Sequence, residues 1–287
     1  MSKYDVKKIQ QLISIYQGYE NFIGFIHCTE LCNFINIYKE GFILSRSRKK
    51  NNVDSADKDQ IKSTEHKHPE ILDCVRFYLA PKTPTYYRMN FKNPVMIVID
   101  ENIMSHVEGD ILFVDKQLNS RGAFLTSNID DALKFDYQKI FDRRPKANRN
   151  KLKKAIVLEV LIIANNGQIR PLILIDDQKT TLYNPDNIPV QKDQEIYYFI
   201  SKSGNPVLSE NSDDVQFRNA EIAFESKVSL DYAVKFYFRD LQDKLEAIKE
   251  VNVDEDDVRF EVNELLFHEY RSSENEYIEE NDDTLPF

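Results

Sequence analysis

The sequence contains no tryptophan, only 7 glycines among its 287 residues, and three cysteines. So few glycines argue against glycine-rich nucleotide loops, and neither a dinucleotide fingerprint G-x-G-x-x-G nor a phosphate loop G-x-x-x-x-G-K-[ST] occurs. Cys28, Cys32 and Cys74 are too few, and odd in number, for a disulfide framework. No signal peptide opens the chain, and no apolar run reaches the ~18 residues of a membrane span. These absences point to a reducing cytoplasm and to no membrane partner.

An overall basic charge is also lacking, since the net charge is −10. Its distribution matters more than its total. Residues 251–287 hold 13 acids and 2 bases, so the first 250 residues carry +1. Within that body, residues 139–154 hold 8 bases against Asp142 alone, and Arg46, Arg48, Lys49 and Lys50 form a smaller basic knot. Such a stripe is either a solvated surface or a track for phosphates. Hydrophobic residues make up 41% of the chain, with 15 Tyr and 18 Phe, enough for a sizeable aromatic-rich core.

Val6, Ile9, Leu12, Ile13, Tyr16 and Tyr19 recur at helical spacing and predict an opening amphipathic helix. The apolar run 22–26 reads as a strand ending at His27. A helix over 31–40 follows, with Leu31, Ile35 and Tyr38 on one face and Gly41 as its left-handed stop. Residues 45–70 read as a long polar loop. Strands are expected at 75–79, 95–99, 111–114, 156–163, 169–175, 196–200 and 220–224. Asn165-Asn166-Gly167 is a hairpin signal between two of them. Residues 123–141 read as partly helical, residues 230–249 as a helix with Tyr232, Phe236, Leu241 and Leu245 in its stripe, and residues 258–267 as closing the sheet. After Ser272 an acidic disordered tail is expected. The class is α+β, one mixed sheet with peripheral helices and an inserted hairpin region.

Three stretches carry possible chemistry. His27 and Thr29, two apart on a strand, point to one face beside a helix N-terminus, which suits a polar ligand. The alternative is a core histidine with Thr29 as helix cap. The run from Arg76 to Tyr87 sends a strand into a turn stiffened by Pro81 and Pro84, bearing Thr83 and followed by Tyr86 and Tyr87. A rigid turn with aromatics fits a flat ring, or simply covers the core. In Asn219-Ala220-Glu221-Ile222-Ala223-Phe224, a carboxylate heads an apolar strand, where burial is costly unless it is paired or used.

In chain order these stretches resemble the DarT family of toxins, which ADP-ribosylate bases in single-stranded DNA. His27-x-Thr29, Asn33 and Gly41 match the family's opening H-x-T…N…G stretch. "FYLAPKTPTYY" is similar to its FYF-x-P-R-[ST]-P-M-L-Y block, "LKFDYQKI" to L-x-x-L-D-W-x-x-I, and "NAEIAF" to x-A-E-x-L-V. The resemblance covers 22–144 and 216–267. It implies an ADP-ribosyltransferase-like mixed β-sheet core over 1–271, with 145–215 inserted and 272–287 as the tail.

It further implies that NAD⁺ is the co-substrate, that Glu221 and His27 are catalytic, and that no metal is needed. His27, Thr29, Asn33, Tyr78, Thr83 and Tyr87 would bind NAD⁺. The family's long loop carries an arginine, yet no arginine lies between Lys49 and Val75 here. Arg46, Arg48 or Arg121 are the candidates to replace it, and Lys82 stands where the family has arginine. Arg121, Arg143, Arg144, Arg149 and Lys151 would meet single-stranded DNA or RNA. A toxin of this kind implies an antitoxin partner and, in a wider setting, phage defence. Two rivals remain: an inactive nucleic-acid- or protein-binding module, and a zinc site from His27, Cys28, Cys32, His66, His68 and Cys74.

Overall fold

The structure is a computed structural model, and it describes residues 3–48, 68–81, 91–118, 120, 122–141, 153–165, 168–175, 180–183, 191–200, 206–209 and 215–267. The chain divides into two compact units, Met1–Phe141 with Gln216–Glu269, and Asp142–Val215 with Tyr270–Phe287. The tail, Thr83, Tyr87, Arg121, Arg143, Arg144, Arg149, Lys151 and His66 all lie outside the described residues.

In the first unit, helix α1 spans Val6–Gln17, and Asp5 caps it by accepting from the Lys7 amide. Its buried residues are Ile9, Leu12, Ile13 and Tyr16, the stripe expected from their spacing. Strand β1 (Phe25–Glu30) runs directly into α2 (Leu31–Glu40), which Gly41 ends in the left-handed conformation at φ 75°. That helix buries Leu31, Phe34 and Ile37, so its inner face is turned slightly from the stripe read in the sequence. The strands that follow are β2 (Phe42–Leu44), β3 (Cys74–Tyr78), β4 (Pro94–Ile99), β5 (Ile111–Val114) and β6 (Leu125–Thr126). Two single-turn helices come next, α3 (Ile129–Ala132) and α4 (Tyr137–Ile140).

The second unit is a closed five-stranded barrel. Its strands are β7 (Lys153–Asn165), β8 (Gln168–Ile175), β9 (Thr180–Tyr183), β10 (Glu195–Ile200) and β11 (Pro206–Ser209), in the order β10-β11-β9-β8-β7. β7 and β8 form the expected antiparallel pair, with Asn165 opposite Gln168. Val157, Ile173, Ile175, Leu182, Ile196 and Leu208 fill the barrel. The hairpin is thus one part of a barrel with its own core, because closure removes the edges that a lone hairpin would expose.

The chain then returns to the first unit with β12 (Glu221–Glu225), β13 (Lys227–Ser229) and β14 (Ala233–Phe238), followed by α5 (Leu241–Val251) and β15 (Phe260–Val262). Here the expectation of one helix over 230–249 fails. Phe236 and Phe238 are fully buried while Lys235 and Tyr237 alternate with them, a period of two, and β14 pairs with β4. The helix begins only after Asp240, whose carboxylate accepts from the Asp243 amide. Leu241 and Leu245, read as core, are 59% and 44% exposed, and Ala247 and Ile248 face inward instead.

The main sheet has the order β15-β14-β4-β1-β3-β12-β5-β6, while β2 and β13 form a separate pair. One face carries the large core, to which all five helices contribute. Tyr16 sits edge-on to Phe25 and Tyr137 within it, and Phe34 to Phe236 and Phe238. The other face carries two smaller apolar clusters, one around Ile26, Met96 and Phe267, the other around Cys74, Leu112, Val114 and Ala223.

Candidate active site

Strand register sets the site. Tyr78 of β3 lies opposite Ile26 on one side and opposite Glu221 on the other, so these three residues form a row across adjacent strands. Opposed residues in an antiparallel sheet share a face. Glu221 therefore stands on the face with the two small clusters. β1 meets β4 along six residue pairs but meets β3 at the Ile26–Tyr78 pair alone, so the sheet parts between β1 and β3 just beyond this row.

His27 sits at that parting. Its Nδ1 lies 3.1 Å from the Arg76 carbonyl oxygen and its ring 5.7 Å from that of Phe77. A carbonyl only accepts, so this contact requires Nδ1–H to donate. His27 and Thr29 alternate with Ile26 and Cys28, which directs them to the helix-bearing face, as their pairing with Ile97 and Val95 requires. The two residues do share a face, and that face is opposite to the one bearing Glu221. Thr29 is buried and is not the cap of α2. That position belongs to Glu30, whose carboxylate instead accepts from the Lys92 and Asn93 amides.

Glu221 is 3% exposed at the head of a strand whose next three residues are fully buried. Arg76 grips it in a two-point fork, Nε donating to Oε2 at 2.5 Å and Nη2 to Oε1 at 2.6 Å. Arg76 faces Ala223, one diagonal step from Glu221. Arg76 is thus the residue that joins the two candidates, His27 through its main chain and Glu221 through its side chain. In the sequence it only opens the run from Arg76 to Tyr87 and carries no assigned role, although an arginine between Val75 and Phe77 in a buried strand is a signal of the same kind as Glu221.

A forked carboxylate keeps lone pairs for further donors, such as sugar hydroxyls. Half-buried Tyr78, directly across the strand, supplies an aromatic face beside it. The carboxylate and the aromatic ring suit a ribose bearing a flat heterocycle. Asn33 is half-buried on α2, and Arg46 and Arg48 are exposed in a short turn, Arg46–Arg48. The zinc reading finds no support among the described residues, where no cluster of three metal-ligating side chains occurs. Burial pushes the Cys28 thiol up to about 12 and, with nearby carboxylates, the Cys74 thiol up to about 11, so neither offers a thiolate at neutral pH.

At the same end of the sheet, Lys116 follows β5 and Phe217 precedes β12. The ammonium groups of Lys116 and Lys139 stand 4.9 and 5.2 Å from the Phe217 ring centroid. An aromatic ring flanked by two cations is chemistry suited to a nucleic-acid strand, whose phosphates and bases need charge and stacking respectively.

The family model described as ssDNA thymidine ADP-ribosyltransferase, DarT, matches residues 26–165, from β1 into β7. Over those residues the chain is similar to DarT. Among solved structures, Thermus sp. 2.9 DarT in complex with NAD⁺ aligns over 87% of this chain and 100% of its own, with a TM-score of 0.52 at 10% sequence identity. The same protein in complex with ADP-ribosylated ssDNA aligns with a TM-score of 0.54, again at 10% identity, over 87% of this chain and 98% of its own. At that identity the likeness is one of fold. No curated protein matches by sequence. The DarT match ends before β12, so the place of Glu221 rests on the sheet register.

Proposed function

We propose that the chain is an NAD⁺-dependent mono-ADP-ribosyltransferase that modifies a base of single-stranded DNA. The observation that carries this reading is the buried, arginine-held carboxylate of Glu221 beside Tyr78 in a DarT-like fold. Cleaving the bond between nicotinamide and ribose builds positive charge at the sugar, as in glycoside cleavage. Glu221 accepts from the ribose hydroxyls, stabilises that charge and takes the proton from the incoming base. Tyr78 stacks on the nicotinamide. His27, its Nδ1–H turned to the Arg76 carbonyl, braces from the opposite face the strand that carries Arg76 and Tyr78, and Thr29 supports that side of the parting.

We infer further that the enzyme works in the cytoplasm, where NAD⁺ and DNA are available; among the described residues no helix is long and apolar enough to cross a membrane. Unrestrained modification of the host's own DNA is harmful, which makes the chain a toxin and calls for an antitoxin partner. The test is to supply labelled NAD⁺ together with separate pools of single-stranded DNA, RNA and protein. Label on the DNA pool is expected. Label on RNA or protein alone overturns the acceptor, and absence of nicotinamide release from NAD⁺ overturns the enzyme.

A further inference from the structure

We propose that Arg76 is the positioning residue for Glu221. The proposal rests on the transferase reading above. Bringing an ionised carboxylate to 4% side-chain exposure is costly unless a cation accompanies it, and Arg76 supplies that cation from the neighbouring strand. A monodentate partner would fix the charge but not the plane of the carboxylate. The fork at 2.5 and 2.6 Å fixes both. The two oxygens then direct their remaining lone pairs along set lines, so the group that meets the ribose is already oriented before NAD⁺ arrives. Arg76 is itself one-third exposed, so the charge of the fork is not sealed inside the protein.

The two functions of this residue are separable. The contact to His27 uses the main-chain carbonyl and survives any side-chain replacement, whereas the contact to Glu221 does not. Arg76→Gln keeps a polar donor on a shorter side chain without the charge, and Arg76→Lys keeps the charge without the fork. The experiment measures kcat and KM for nicotinamide release from NAD⁺ in the full-length chain and in Arg76→Gln, Arg76→Lys, Glu221→Gln and the double variant, with thermal melts of each.

Arg76→Gln is expected to lower kcat by about 10²–10³-fold, the usual loss when one preorganised partner of a developing charge is removed, with KM for NAD⁺ little changed. Arg76→Lys should fold like the parent and recover part of that loss. The double variant should be no slower than Glu221→Gln, because the two residues act as one unit. Arg76→Gln with parental kcat, a folded Arg76→Lys with parental kcat, or losses that simply add in the double variant would each overturn the proposal while leaving the transferase reading intact. A parent chain that releases no nicotinamide sinks the reading and the proposal together.

Discussion

At Glu221 charge and shape can be separated by a single atom. Ile222, Ala223 and Phe224 beside it are fully buried, so the strand is held by apolar packing whatever occupies its first position. Glu221→Gln should therefore leave a cooperative melt close to the parent's, since the one-third exposed Arg76 can turn to water. It should also remove at least about 10²-fold of nicotinamide release, the scale of a lost electrostatic partner in a closed site. A folded Glu221→Gln variant with parental turnover would remove Glu221 from the chemistry. The family resemblance alone implied roles for His27 and Glu221; as polar residues in apolar strands they were legible in the sequence. The link between them was not, since Arg76 and Glu221 are 145 residues apart and only strand register makes them neighbours.

Among the elements, the stretch after Ser229 marks the limit of reading periodicity. Tyr232, Phe236, Leu241 and Leu245 fall at spacings a helix would allow, yet a short turn, a strand and a helix divide them, and Asp240 separates the strand from the helix. Pairing with β4 decided the matter, and no local signal reports it. α1, by contrast, was legible throughout because its stripe is local and complete. The first turn of α5 holds an untypical acid. Asp243 is buried, its Oδ1 accepts from Asn93 at 2.8 Å, and its Oδ2 has no hydrogen-bond partner among the described residues. Burial first, then the charge of Asp240, raises its pKa, with Arg239 and Asn93 pulling the other way.

An acid whose folded pKa lies above its unfolded value stabilises the fold while protonated, and that contribution is lost as pH rises through the folded pKa. Asp243→Asn should accordingly stabilise the protein at pH 8, by about 1 kcal/mol on the scale of one poorly satisfied buried group. The gain should shrink towards pH 4. Urea midpoints at the two pH values check this, and an equal difference at both would mean that charge is not the cause.

For the molecule as a whole, every described candidate residue, Arg76 included, belongs to the first unit, although the strand bearing Glu221 follows the barrel in sequence. The chain leaves that unit after Phe141 and re-enters at Gln216. These two points are close, because the Lys139 ammonium lies 5.2 Å from the Phe217 ring. Replacing 142–215 by a short Gly/Ser linker should therefore leave a folded protein that still releases nicotinamide from NAD⁺ within several-fold of the parent rate. Loss of the melt or of release would show that the barrel is needed for the sheet. Nearness of the two points also has a consequence for how such a chain can change over time. To the sheet, residues 142–215 are a loop between two of its segments, and loop closure costs entropy only as the logarithm of length, about 0.6 kcal/mol for each doubling. The barrel's own core of Val157, Ile173, Ile175, Leu182, Ile196 and Leu208 offsets the ordering of its own residues. If the linker variant folds, that segment can be lengthened, replaced or discarded without disturbing the strands that hold Arg76 and Glu221 together.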